Sequence, residues 1–184
     1  MIPFFNENLF NITIMDVFKY IAEIPDFPKK GILFYDITPM MANPEVYNYT
    51  IDKMVELIKP SNPTKILGAE SRGFFFAPAI ALKMGLPFVP VRKKGKLPRE
   101  TIDVNYDLEY GVDTLSVHKG DINKDDRLAI IDDILATGGT AEAICKMATS
   151  VDAEIACLAF FMELDFLKGR ERLKNHKVVS MFIK

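Results

Sequence analysis

The sequence lacks a large excess of charge of either sign: 23 Lys and Arg stand against 25 Asp and Glu, for a formal charge of −2 and a pI near 5.8. General nucleic-acid binders and membrane-surface binders carry a basic surplus, so neither partner is expected, and any polyanion site must gather its cations locally. Cysteine is scarce too. Cys145 and Cys157 sit among apolar neighbours with no CxxC or metal-ligand spacing, which predicts reduced core thiols in a cytoplasmic protein. No apolar run approaches the ~18 residues of a membrane span. The start, MIPFFNENLFNITIM, has neither the basic region nor the small-residue cleavage site of a secretory leader. Repeats, low-complexity tracts and linkers are missing. A length of 184 residues suits one α/β domain with a full core and is short for two, so a single domain over 1–184 is expected.

Hydrophobic periodicity organises the chain. Ile14, Val17, Phe18 and Ile21 recur at helical spacing behind Thr13, with Asp16 three residues on, which predicts a helix over 13–23 opened by a capping box. A second helix is expected from Asn43 as cap, with Pro44 in its first turn and Tyr47, Ile51, Met54, Val55 and Ile58 as its buried stripe. Then come a strand at 65–69, a helix around 74–84 and a strand at 88–92, an alternation that predicts a parallel sheet. Residues 101–118 turn to extended patterns, and further strands are expected at 154–162 and 178–183.

Two widespread phosphate motifs are absent: no glycine loop ends in the lysine of a Walker A turn, and no three glycines have dinucleotide-fold spacing. What stands instead is LAIIDDILATGGT at 128–140. Leu128 to Ile131 suit a strand buried on both faces, which puts Asp132 and Asp133 at its carboxyl end, where open α/β sheets bind ligands. Ala136, Thr137, Gly138, Gly139 and Thr140 form a tight turn into a helix, whose first N–H groups favour a phosphate. Carboxylates beside a phosphate cradle suit a ligand with vicinal hydroxyls, such as a ribose 5-phosphate.

Two further segments could serve an anion. Gly68 to Gly73 again join a strand to a helix. Between Arg92 and Arg99 five of eight residues are basic: Arg92, Lys93, Lys94, Lys96 and Arg99.

The string IIDDILATGGT resembles the shared motif for 5-phosphoribosyl 1-diphosphate in the type I phosphoribosyltransferases. The segments FPKKGILFYDITP (27–39), GAESRGFFFAPAIA (68–81), PFVPVRKKGKLPRET (87–101) and YDLEYG (106–111) resemble, in the same order, the adenine-using members of that family. Only about the first ten residues lack a counterpart, so 1–12 read as an extension. The resemblance implies an α/β fold with a central, mainly parallel twisted sheet flanked by helices, a small hood, and a flexible β lid at about 95–112. It implies transfer of the 5-phosphoribosyl group to adenine, giving AMP and diphosphate in purine salvage, with inversion at the anomeric carbon. Mg2+ is the implied cofactor, held mainly by substrate and water and not directly by protein, and a homodimer is the implied assembly.

Carried over by position, Asp132 and Asp133 would hold the ribose hydroxyls and Ala136 to Thr140 the 5-phosphate. Glu70, Ser71, Arg72, Arg92 and Lys96 would serve the diphosphate, with a non-proline cis peptide between Glu70 and Ser71. Lys93, Lys94 and Arg99 read as solvated or steering charges. Glu109 would be the catalytic carboxylate at the imidazole edge of the base, with Tyr110 beside it in the lid; Leu33, Phe34, Leu164 and Arg72 would contact adenine. Tyr35 stands where the family commonly has Arg, which removes any diphosphate or dimer contact that arginine makes. Rival readings are transfer to another base, such as a 6-oxopurine or orotate, and a regulator that senses the phosphosugar without turnover. YDLEYG and GILFYD favour adenine, and the chain has neither spare length nor basic excess for a regulator's nucleic-acid module.

Overall fold

A short amphipathic run holds helical form only if its apolar stripe finds a surface to pack on, and the first expected helix does not persist. In the computed structural model, which describes residues 15–107 and 112–184, Val17–Tyr20 make one 3-10 turn, and Asp16 forms no side-chain cap bond. Strand β1 (Ala22–Pro25) follows and pairs antiparallel with β2 (Leu33–Asp36), from Ala22 opposite Asp36 to Pro25 opposite Leu33. The single 3-10 turn and a strand that takes Ala22 and Glu23 correct the 13–23 expectation for its described part. The expectations on Thr13, Ile14, Glu109 and Tyr110 lie outside the described residues.

The chain divides into two units, residues 1–50 and 51–184. Helix α1 (Thr38–Ala42) completes the first, and α2 (Pro44–Ile58) begins in it and continues into the second. Asn43 caps α2 as expected, accepting the N–H groups of Glu45 and Val46 at 3.1 and 3.2 Å. The stripe is turned slightly from its expected face: Val46, Thr50, Ile51, Met54 and Ile58 are buried, whereas Tyr47 and Val55 are only half-buried. Thr50 can enter because its hydroxyl donates to the Val46 carbonyl at 2.8 Å.

The second unit is built on a seven-stranded sheet of order β5-β6-β4-β3-β7-β8-β9. Its parallel part comprises β3 (Lys65–Ala69), β4 (Phe88–Lys93), β7 (Arg127–Leu135), β8 (Glu154–Glu163) and β9 (Val178–Ile183). These strands read as near-continuous apolar runs because helices cover the sheet, and Ile66, Leu67, Leu128, Ile130 and Leu158 are fully buried. Each such side chain contributes roughly 1.5–3 kcal/mol of burial. Helices α3 (Ala77–Met84) and α4 (Gly139–Thr149) are the connections; a 3-10 turn at Arg72–Phe75 precedes α3, replacing the start of the helix expected at 74. The short α5 (Gly169–Arg172) lies between β8 and β9.

β5 (Thr101–Asp107) and β6 (Val112–His118) form an antiparallel hairpin of seven register pairs at the sheet's edge. Only Arg92 and Lys93 of β4 pair with β6. Pairing starts just beyond Pro90, which has no N–H to give a ladder, and so the hairpin meets the sheet along a short seam.

Cys145 and Cys157 are free and buried. Burial pushes the Cys145 thiol up to about 12 and raises Cys157 as well, which suits inert core residues. Among the described residues no helix is long and apolar enough to cross a membrane.

Candidate functional site

Strand β7 outruns one neighbour and not the other. Toward β3 its register stops at Ile131, opposite Gly68. Toward β8 it continues through Asp132 opposite Phe160 to Leu135 opposite Glu163. Asp132 and Asp133 are therefore inside the strand rather than past its end, a correction to the boundary read from sequence, yet they stand where the β3 side of the sheet has already ended. Successive strand residues face opposite ways, and the two carboxylates have different surroundings. Asp132 joins Ile134 to Ala141 and Phe160 in lining a cleft. Asp133 is 3 % exposed and meets Arg72, whose Nε lies 2.8 Å from its Oδ2 in a charge contact without hydrogen-bond alignment.

Burial pushes both carboxyls above the usual carboxylate range. For Asp132 the neighbouring Asp133 charge adds to the rise, offset in part by the Asp133 N–H, which donates to its Oδ1 at 2.9 Å. For Asp133 the Arg72 guanidinium works in the opposite direction to burial.

The turn Ala136–Thr140 closes the cleft with no charged side chain. Gly138 has φ +81°, a left-handed conformation that suits glycine, and caps α4. The first N–H groups of any helix lack intrahelical partners, and here they open beside the cleft. A phosphate there would be repelled by Glu142 in the first turn of α4, but Lys146 and Arg172 stand 3.5 and 3.6 Å from that carboxylate.

The second strand-to-helix junction, Glu70–Gly73, is made differently. Its Glu70–Ser71 peptide is cis, as expected. Gly73 approaches β7 so closely that a Cβ on it would come 2.7 Å from the Ile131 carbonyl oxygen and 3.2 Å from Asp132 Oδ1. Glu70 accepts from Arg92 Nε and Nη2 at 3.1 and 3.4 Å and from the Lys93 N–H at 2.8 Å; the Arg92 bond chiefly holds its carboxyl below the usual range. Its own N–H is committed to the Val91 carbonyl, so Glu70 organises Arg92 in place of offering an amide to an anion.

Of the five basic residues, Lys93 pairs with Asp113 at 3.1 Å, Lys94 with Asp103 at 3.7 Å and Arg99 with Asp121 at 2.8 Å. All three stay largely exposed, so they remain solvated surface charges as expected, each now with a carboxylate partner. Among the described residues Lys96 has no carboxylate within ion-pair distance, and its carbonyl accepts from Arg92.

Leu33 and Phe34 lie on β2 of the first unit. Leu33 is 44 % exposed and Phe34 packs edge-on against Phe27, ring centres 5.1 Å apart. Tyr35 is buried on the same strand across from Glu23, and burial followed by that carboxylate raises its phenol. Leu164 follows β8 in the second unit, half-buried, donating its N–H to the Leu135 carbonyl at 2.9 Å.

Sequence reading missed Phe160, whose place in the cleft follows only from its register opposite Asp132. It also gave no role to Tyr106, which donates to Asp113 at 3.2 Å and whose phenol is raised by burial and by that carboxylate. An apolar residue in a run of them, and one tyrosine in a hairpin, give no local signal.

Comparison with known proteins agrees with this geometry. Residues 42–183 match the family model described as the phosphoribosyl transferase domain. The adenine phosphoribosyltransferase of Carboxydothermus hydrogenoformans is 48% identical over 167 residues, 91% of this chain and 98% of that protein. The crystal structure of the Thermoanaerobacter pseudethanolicus enzyme superposes with a TM-score of 0.89 at 42% identity, covering 91% of this chain and 98% of that one. The Saccharomyces cerevisiae enzyme, complexed with an imino-altritol bisphosphate and adenine, gives 0.84 at 40% identity over 90% and 96%. With fold and sequence shared at this level, the chain belongs to the adenine phosphoribosyltransferases of the phosphoribosyltransferase family.

Proposed function

We propose that this protein transfers the 5-phosphoribosyl group from 5-phosphoribosyl 1-diphosphate to adenine, forming AMP and diphosphate in purine salvage. One observation supports it most: a single cleft is lined both by Asp132 and by the uncharged turn Ala136–Thr140. These are the two chemistries a ribose 5-phosphate needs, an acceptor for hydroxyls and free amides for phosphate.

In this reading Asp132 accepts from the ribose hydroxyls, Asp133, buried and paired with Arg72, is the second carboxylate set for them, and Ala136, Thr137, Gly138, Gly139 and Thr140 hold the 5-phosphate. Arg72, Arg92 and Lys96 meet the diphosphate, with Ser71 in the same loop and Glu70 fixing the Arg92 fork. The bond from the anomeric carbon to diphosphate breaks as the bond to the base nitrogen forms. Glu109 takes the proton from the imidazole edge of adenine, while a lid at about 95–112, Tyr110 included, excludes the water that would hydrolyse the activated sugar. Leu33, Phe34, Leu164 and Arg72 are the proposed adenine contacts; main-chain groups at Leu33 can distinguish a 6-amino from a 6-oxo purine, whose donor and acceptor edges are reversed.

The donor set tests the place of Mg2+. Among the described residues no three His, Cys, Asp or Glu side chains cluster as a metal cage, and the adjacent carboxylates fit an ion carried by the substrate's diphosphate and hydroxyls. Mg2+ so held would neutralise charge on the leaving diphosphate. A single domain, a homodimer and a cytoplasmic location complete the proposal.

The direct test supplies purified protein with 5-phosphoribosyl 1-diphosphate, Mg2+ and either adenine, hypoxanthine, guanine or orotate. AMP formation with adenine alone is expected; turnover of another base would move the specificity, and binding of the phosphosugar without turnover would leave a sensor. Glu109→Leu should lower turnover far more than sugar binding, and unchanged turnover would remove its catalytic role.

A further inference from the structure

The turn Ala136–Thr140 is not held in shape by its own residues alone. Gly169, the first residue of α5, is buried against it. A Cβ placed on Gly169 would lie far inside contact distance of the Ala136 carbonyl oxygen and 3.0 Å from the Gly138 nitrogen; one placed on Gly138 would lie 2.7 Å from the Gly169 carbonyl oxygen. Gly169 is helical and its φ is not positive, so alanine could adopt its backbone. Helix propensity would favour that alanine. The glycine is required by proximity: two backbones touch where any side chain would part them.

α5 is itself tied down from three sides. Arg170 donates to Glu163 at the end of β8 through Nε at 2.8 Å and through Nη2. Its Nη1 donates to the Val178 carbonyl on β9 at 3.0 Å, and the Ser180 hydroxyl donates to the same Glu163 at 2.8 Å. Glu163 is 2 % exposed. A carboxylate buried that deeply stays charged only with such partners, and the Arg170 bond holds its carboxyl below the usual range. On the outer side Arg172 reaches Glu142 of α4 at 3.6 Å.

We infer that Gly169 is a positioning residue for the phosphoribosyl substrate, bracing the Ala136–Gly138 backbone in its phosphate-receiving shape, with the Arg170–Glu163 pair fixing the brace. The inference rests on Ala136–Thr140 being the phosphate turn.

The test measures the Kd of ribose 5-phosphate by calorimetry, and kcat and KM for 5-phosphoribosyl 1-diphosphate, in Gly169→Ala, Arg170→Gln and Thr140→Ala. Ile80→Val, in the α3 core, controls for lost stability. Gly169→Ala should raise Kd and KM tenfold or more, with kcat per folded molecule within about threefold; Arg170→Gln should raise Kd about threefold. Ile80→Val should lower Tm and leave Kd unchanged, since lost stability removes active molecules without altering the affinity of those that remain. If Thr140→Ala weakens binding but Gly169→Ala does not, the brace is overturned and the phosphate turn stands. If none of the three substitutions changes Kd, the reading of the turn itself fails. Should Gly169→Ala not fold, an unchanged Kd in Arg170→Gln overturns the inference.

Discussion

Two strand-to-helix junctions open on the same end of the second unit's sheet, and they are built from opposite materials. Ala136–Thr140 has no charged side chain; its shape comes from glycines and from backbone packed on backbone at Gly169. Glu70–Gly73 depends on ions, with Arg92 held by Glu70 and Arg72 set against Asp133. A phosphate that stays on the substrate throughout turnover can be bound by fixed amides and a helix end. A diphosphate that must arrive, gain charge as it leaves, and depart is better met by side chains that can move with it.

The comparison can be broken first at its rigid end. Gly138→Ala forces a left-handed residue, costing ~1–2 kcal/mol, and drives its Cβ to 2.7 Å from the Gly169 carbonyl oxygen. We expect kcat/KM for the phosphosugar to fall about 100-fold or more, equal to ~2.7 kcal/mol of transition-state stabilisation; steady-state kinetics with adenine saturating checks it. Arg92→Gln should act less severely. It removes a charge-assisted contact worth ~1.5–3 kcal/mol, so the Kd of inorganic diphosphate should rise about tenfold while that of ribose 5-phosphate changes little. Equal losses for both ligands would erase the distinction between the junctions. Salt sharpens it further: raising ionic strength from about 0.05 to about 0.5 M shortens the screening length, and diphosphate affinity should drop several-fold more than ribose 5-phosphate affinity.

What could be read in advance follows the same division. A junction encoded by consecutive residues is legible: 128–140 reads as strand, carboxylates, turn and helix, and only the strand's end differs in the structure. That end was hidden because β3 and β8 stop at different points along β7, a property of register and not of composition. The cis peptide at Glu70–Ser71 came from the family resemblance; nothing in those residue types announces it. Contacts between distant segments were illegible. Gly169 lies 31 positions beyond Gly138, and a single glycine before a short helix reads as an ordinary turn. The expected helix over 13–23 is cut short in its described part: Val17–Tyr20 make only a 3-10 turn, and β2 offers residues 22–25 a ladder that local pattern could not foresee.

The smallest expected effect is one of stability, and it runs against function. Asp132 is pushed above the usual carboxylate range by burial and by Asp133, so the folded state binds its proton more tightly than the unfolded state does. Stability therefore falls as pH rises from the unfolded value of about 3.9 to the raised folded value, and above that the full cost of an ionised, half-buried carboxylate beside Asp133 is present. Asp132→Asn removes this cost. Its Tm should match wild type below about pH 4 and exceed it increasingly toward neutrality, by roughly 2–4 °C for each kcal/mol recovered. The order should reverse in saturating ribose 5-phosphate, because ligand bound only to the folded state stabilises in proportion to its affinity and Asn is the poorer acceptor for sugar hydroxyls. Thermal melts from about pH 3.5 to 8.5, with and without ligand, test both halves. A Tm difference constant across that range would mean that Asp132 carries no electrostatic penalty for its place at the cleft.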